Sequence, residues 1–292
     1  MPLLALAFII ASAFLHATWN VIAKVSKNIF ALMWWATVIA TLGYGAWLLS
    51  SSGIYLNSNS LIPFLISALA ETGYFITLVR GYSQGDLSLV YPISRGSAPI
   101  FAAMWGALFL GEQLPWIGYL GVLLMVLGLY TASIPVNSSG IKFRMPAVIS
   151  AFRNRPAGWA LASAVFISIF SVSDKIAVTA TPPMIYNWWV FAGNSILWMI
   201  PTWGRSNFRT NFQELRSKWR SVIATSIMMV SSYGAALAAL ALTSASYVVA
   251  GRGLSVVIGA ALGAALLKES FGVSRIMGAG LMVFGLLLIA FT

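Results

Sequence analysis

Ten stretches of mainly apolar residues follow one another along the chain, at 3–25, 31–50, 61–82, 87–110, 115–134, 158–178, 184–203, 222–242, 246–267 and 273–291. Each approaches the roughly 20 residues that an α-helix needs to cross the hydrocarbon of a bilayer. Short polar punctuation separates most of them: Asn57-Ser58-Asn59-Ser60 before Pro63, Gly85-Asp86, and Gly111-Glu112 before Pro115. Two polar intervals are wider. Residues 135–157 hold Pro135, Asn137, Ser138, Ser139 and Gly140 and then Lys142, Arg144, Arg153 and Arg155; residues 204–220 hold Arg205, Arg209, Arg216, Lys218 and Arg220. The pattern predicts an all-α integral membrane protein of ten transmembrane helices. The first wide interval divides it into a five-helix unit over 1–134, a basic linker over 135–157 and a second five-helix unit over 158–292.

The two units are copies. Arg95-Gly96 matches Arg252-Gly253, and without a gap Gly106, Ala107, Leu110, Glu112, Gly121, Leu124, Met125, Val126 and Gly128 recur as Gly263, Ala264, Leu267, Glu269, Gly278, Leu281, Met282, Val283 and Gly285. Between 95 and 129 there are 13 identities in 35 positions, where chance in such apolar text gives roughly a tenth. Each unit has an odd number of spans, so the second copy enters the bilayer from the opposite side. The expectation is an inverted repeat, a construction that points first to transport.

Composition agrees with lipid as the main solvent: 60% of residues are hydrophobic and 8% charged, against about 25% charged in a soluble domain. The net charge of +11 is no argument for nucleic acid, because the basic residues sit in the loops between apolar runs. Lys24, Lys27, Arg80, Lys142, Arg144, Arg153, Arg155, Arg205, Arg209, Arg216, Lys218, Arg220, Lys268 and Arg275 fall on one side, and Lys175 alone on the other. The positive-inside rule then places the odd-numbered loops in the cytoplasm and both termini outside. Leu3 to Phe14, with Ala11-Ser12-Ala13, has the outline of a signal peptide. It lacks a basic n-region and runs on to about Val25, so it reads as the first span.

An ionisable group at mid-membrane costs at least about 2.5–3.5 kcal/mol and marks a cavity or a pair. Arg95 and Arg252 lie inside the fourth and ninth spans. Glu71, in the third, is the obvious ion-pair partner for Arg95, whereas Arg252 has no acidic residue well inside the last three spans. Tyr91-Pro92 to Pro99 and Gly251-Arg252-Gly253 put helix breakers beside both arginines. Broken spans at matching positions of two halves point to a midplane binding site, with a simple packing kink as the alternative. Ser12, His16, Asn20 and Lys24 recur every four residues and share a helix face, flanked by Trp19. The sixth span answers with Ser163, Ile167, Ser171 and Lys175. Both lysines read as snorkelling to the interface, with Asp174 able to neutralise Lys175. His16, the sole histidine, is a candidate proton carrier or a group satisfied by a neighbouring helix, and Glu71 is a second candidate carrier.

Among the aromatics, Trp34, Trp35, Trp47, Trp116 and Trp203 fall near span ends and read as interface anchors. Trp19, Tyr74, Tyr91, Trp188, Tyr233 and Tyr247 are placed to line a cavity, as is Asn20. Gly259 and Gly263, with Ala102 and Gly106, read as small-residue helix packing. Glu112 and Glu269 read as caps or solvated turns. There is no cysteine, no zinc helix, no phosphate loop and no nucleophile elbow, so neither an enzyme nor a bound metal or cofactor is expected.

Leu110-Gly111-Glu112-Gln113-Leu114, after a span holding Pro92 and Pro99, resembles the C-terminal part of the EamA repeat, and Ser12 to Lys24 resembles its opening. That repeat builds ten-span carriers of the drug/metabolite transporter superfamily. The second half departs from it, with Lys268 in place of the glycine and Val249 and Val256 in place of the prolines, so its ninth helix is expected to be the less broken one. The resemblance implies alternating access around a central cavity, and cytoplasmic termini, against the charge sorting. Ser94-Arg95-Gly96-Ser97-Ala98-Pro99 also resembles a subset linked to phosphonate use. The expected function is a secondary carrier for a small organic anion or zwitterion, an amino acid, phosphonate or phosphate ester, in a prokaryotic inner membrane. Arg95 and Arg252 would hold the acidic group. The alternative is an exporter of cationic or amphiphilic compounds bound by Glu71 and the aromatics. The expected partners are a small-molecule substrate and the bilayer, with no nucleic acid; monomer and homodimer both remain open.

Overall fold

A computed structural model describes residues 1–24, 26, 28–84, 87–132, 155–203, 208–267 and 273–292, and all regular structure among them is helical. The first half contains α1 (Leu3–Lys24), α2 (Ile29–Ser51), α3 (Ser58–Gln84), α4 (Leu87–Leu110) and α5 (Trp116–Ala132). The second contains α6 (Arg155–Ala177), α7 (Pro183–Leu197), the short α8 (Met199–Trp203), α9 (Phe208–Leu242), α10 (Ala245–Arg252), α11 (Leu254–Leu267) and α12 (Val273–Ala290). Among the described residues, six stretches are long and apolar enough to cross a membrane: Leu3–Ile22, Phe30–Ser51, Ser58–Gly81, Ile93–Leu110, Arg155–Ala177 and Arg209–Leu242. Trp116–Ala132, Ala245–Gly259 and Ile276–Ala290 are apolar but shorter.

Local chemistry sets several ends. Asn28 caps α2, its Oδ1 accepting from the Ala31 N–H at 3.1 Å, and Pro183 opens α7, where a missing N–H costs nothing. Gly111, at φ +63°, turns the chain out of α4, a left-handed conformation that glycine adopts without strain.

Three readings from sequence are corrected. The proline-containing α4 runs unbroken from Leu87 to Leu110, whereas the ninth span, which lacks the prolines, is split at Gly253 into α10 and α11. There the Gly253 N–H turns back to the Ala250 carbonyl at 2.9 Å. A proline deletes one helix bond and membrane helices absorb that; a glycine pair around Arg252 removes the side chains that hold a turn in register. The polar interval 204–220 is helical from Phe208 on, bending at Lys218 (φ −121°, ψ 23°) before it enters the bundle. Trp34 is no interface anchor: it is buried and its indole donates to the Ser195 carbonyl at 2.8 Å. Trp47 and Trp116 are exposed. Of the basic linker, residues 135–154 lie outside the described residues.

The helices pair across the halves in a pattern that survives exchange of the two copies. The pairs α3 with α6 and α1 with α9 correspond, as do α4 with α6 and α1 with α10 and α11, while α2 pairs with α7 and α5 with α12. The contacts run antiparallel: Ser60, Ser67 and Thr77 of α3 meet Ala177, Asp174 and Ser163 of α6 in reverse order. In the α5–α12 seam, Gly121 lies against the Gly285 carbonyl and Gly128 against that of Gly278. These four glycines are repeat equivalents, so the seam is its own image under exchange of the halves. Met1 donates through its amino group to the Ala290 carbonyl at 3.3 Å, which puts both termini on one face.

Candidate functional site

Both repeat-related arginines line one small cavity between the halves, together with Asp174, Ser171 and Tyr233 and apolar groups such as Ile167, Leu237 and Val248. Its free volume is about 10 Å³, room for about one water. α4 brings Arg95 from one half. Its Nη2 donates to the Tyr74 hydroxyl at 2.9 Å and lies 3.4 Å from His16 Nε2. A guanidinium has only donors, so His16 Nε2 is the acceptor in this contact. The Arg95 guanidinium also stands 5.5 Å from the centre of the Tyr74 ring. Trp19 packs edge-on against His16, 4.8 Å between ring centres.

α10 brings Arg252 from the other half, at the helix end that Gly253 interrupts. Its guanidinium lies 5.6 Å from the centre of the Tyr233 ring. Its Nε is buried without a hydrogen-bond partner. Two cations facing one low-dielectric cavity repel each other, and an anion between them relieves both.

The acidic side of the site is Asp174 and Glu71. Glu71, expected beside Arg95, accepts from Asn194 Nδ2 of α7. Asp174, expected beside Lys175, is 1% exposed. It accepts from Ser67 at 2.5 Å, Tyr186 at 2.8 Å and Tyr233 at 2.5 Å.

Lys175 does not snorkel. Its Nζ donates to the carbonyls of Leu240 (3.1 Å) and Thr243 (2.6 Å) at the end of α9 and stands 3.5 Å from Glu112 Oε1. That same oxygen accepts from the Ala245 N–H at 3.1 Å. Glu112 therefore caps a helix of the opposite half rather than its own, and joins the halves on the face that holds the termini. Gly106 lets Glu112 fold back onto α4, since a Cβ there would stand 2.6 Å from the carboxylate; this replaces its reading as helix packing. Gly259 does face another helix, meeting Ala17 of α1.

Three expected lining residues are elsewhere. Asn20 is exposed and donates to the His16 carbonyl of its own helix at 2.6 Å. Trp188 donates to Thr41 O at 2.8 Å and covers Gly45, joining α7 to α2. Tyr247 lies over Gly118 and accepts from Thr292 at 3.1 Å, near the termini. The side chains of Tyr91, Lys24, Trp203 and Gly263, and the whole of Lys268 and Glu269, lie outside the described residues. Asp174, Tyr186 and Asn194 were not singled out as site residues from sequence.

Residues 3–134 and 155–291 both match the EamA-like transporter family, and the chain belongs to that family. It is an integral, multi-pass membrane transporter built from two EamA repeats. A solved structure described only as the crystal structure of a protein superposes with a TM-score of 0.76 at 14% identity, covering 98% of this chain and 96% of the other. That likeness extends the fold over the whole chain. No curated protein matches it.

Proposed function

We propose that this protein is a secondary carrier of a small organic anion or zwitterion, such as an amino acid, phosphonate or phosphate ester. It works by alternating access between two inverted five-helix repeats, ten spans in all, in a prokaryotic inner membrane. The observation that carries the reading is Arg252: a guanidinium facing a buried cavity, its Nε without a hydrogen-bond partner, with Arg95 on the same cavity from the other half. An acidic substrate group bridging them would be held by both repeats at once. Tyr74, Tyr233 and Trp19 stand close enough to the arginines and His16 to contact the rest of the molecule. Glu71 and His16 are the proton-carrying candidates read from sequence.

The test is uptake into proteoliposomes over a panel of amino acids, phosphonates and phosphate esters. A charge-assisted hydrogen bond contributes about 1.5–3 kcal/mol, so Arg252→Ala should weaken half-saturation by roughly 10–100-fold while the protein keeps its thermal unfolding profile. Unchanged uptake removes the arginine clamp.

A second reading, export of cationic or amphiphilic compounds, is favoured by the two buried carboxylates. Glu71→Gln separates them: it should abolish amine export under the second reading and leave anion binding within about threefold under the first, since Asn194 can still bond the amide.

A further inference from the structure

Asp174 sits at the crossing of α6 with three other helices, and its three hydrogen-bond donors come one from each: Ser67 from α3, Tyr186 from α7 and Tyr233 from α9. Ser67 and Tyr186 share Oδ1, and Tyr233 takes Oδ2. An ionised carboxylate only accepts, so three hydroxyls pointing inward fit the charged form. A carboxyl must donate its own hydrogen, and then one of those hydroxyls must turn away. Tyr233 has somewhere to turn, because its hydroxyl also faces the Glu71 carboxylate. Its ring, meanwhile, lies against the Arg252 guanidinium.

We infer that Asp174 is the proton-carrying group of the cavity, and that Tyr233 is the positioning residue that ties its proton to the state of Arg252. The inference deepens the carrier reading and rests on it. A proton from water bonds to Asp174 Oδ2. The new O–H donates to the Tyr233 oxygen, and the Tyr233 hydrogen turns to Glu71. No carbon bond changes, and the cavity gains one positive charge. An anion arriving at Arg252 and Arg95 balances that charge, so proton and anion enter together. Around this centre stand Glu71 from α3, Tyr186 from α7, Tyr233 from α9 and Arg252 from α10, with Arg95 from α4 on the same cavity and Tyr74 of α3 and His16 of α1 against Arg95. Lys175, next in the chain, is turned away to Glu112 and the end of α9. A purely structural Asp174, a fixed counter-ion for the arginines, stays charged throughout.

The experiment is infrared difference spectroscopy on the full chain in liposomes. Buried carboxylates titrate as much as ~3–5 units from their ordinary values, so the scan runs from about pH 4 to about pH 9. The parent should show a protonated-carboxyl band that Asp174→Asn removes, Asp174→Glu restores and Tyr233→Phe displaces in pH. Adding inorganic phosphate or methylphosphonate should then draw close to one proton per bound anion into the parent and none into Asp174→Asn, read with a pH dye. Absence of an Asp174 band across the scan overturns the inference and leaves the arginine site standing. A band that tracks Asp174 with no binding of either anion overturns the anion reading and leaves Asp174 as the proton carrier. A Tyr233→Phe band unmoved in pH removes Tyr233 from the scheme.

Discussion

At the scale of single residues, the sequence shows which groups are unusual and hides which ones meet. Arg95 and Arg252 stand out because the repeat aligns them, and the structure puts both on one cavity. Asp174 was hidden by its neighbour. Adjacent helix positions do not face each other, so Asp174 and Lys175 diverge, one into the cavity and the other to Glu112 and the end of α9. A partner assigned by adjacency was therefore the wrong partner for both. Asn20 fails in a different way: the four-residue stripe of α1 is real, but its amide closes on the His16 carbonyl and faces outward. The lysine contact carries its own prediction. The Leu240 and Thr243 carbonyls depend on Lys175, and leaving buried acceptors unpaired costs about 1–3 kcal/mol. Lys175→Met should lower the thermal unfolding midpoint of the purified protein, and Glu112→Gln, which keeps an acceptor for the Ala245 N–H, should lower it less. Equal melting of all three proteins would mean that water satisfies these groups.

At the scale of helices, hydrophobic runs located the elements well, since a run of about 20 apolar residues has few alternatives to a spanning helix. They misjudged continuity. Prolines in α4 suggested a break that does not occur, and the glycines around Arg252 produced one that proline counting places in the wrong half. Proline's missing N–H is a local loss, whereas a break needs the surrounding turns to lose packing as well. The glycines of the α5–α12 seam show the opposite role, close approach instead of interruption. A Cβ on Gly128 would stand 2.7 Å from the Gly278 carbonyl and 2.8 Å from the Met282 nitrogen, both backbone. Backbone cannot swing aside, and overpacking of this kind costs about 1–3 kcal/mol or more. Gly128→Ala should therefore destabilise the protein in detergent by that amount, while Gly280→Ala on α12, the other helix of the seam, where nothing lies within 4 Å, should melt at or above the parent. Alanine is the better helix former, so similar losses in both variants would trace the effect to something other than the seam.

At the scale of the molecule, the repeat signal reached furthest, because an exchange of copies that preserves the glycine seam also preserves the pairing of the remaining helices. Sequence left orientation open, with the basic loops placing the termini outside and the family resemblance placing them inside. The fold sharpens that choice into one measurement. Met1 lies beside Ala290, and Thr292 beside Tyr247, on the face of the Glu112–Lys175 contact. The basic start of α9, with Arg209, Arg216 and Arg220, precedes three spans that return the chain to Thr292, so an inverted ten-span arrangement puts Arg209 and Thr292 on opposite sides of the bilayer. The chain has no cysteine, so single cysteines label cleanly. In intact cells a membrane-impermeant maleimide should modify Thr292→Cys and spare Arg209→Cys until the membrane is opened, because the positive-inside bias holds the basic end of α9 in the cytoplasm. The reverse labelling would keep the inverted repeat and turn the molecule over. Labelling of both from one side would leave an even number of crossings between them, and with it no inverted pair of five-helix units to close around the two arginines.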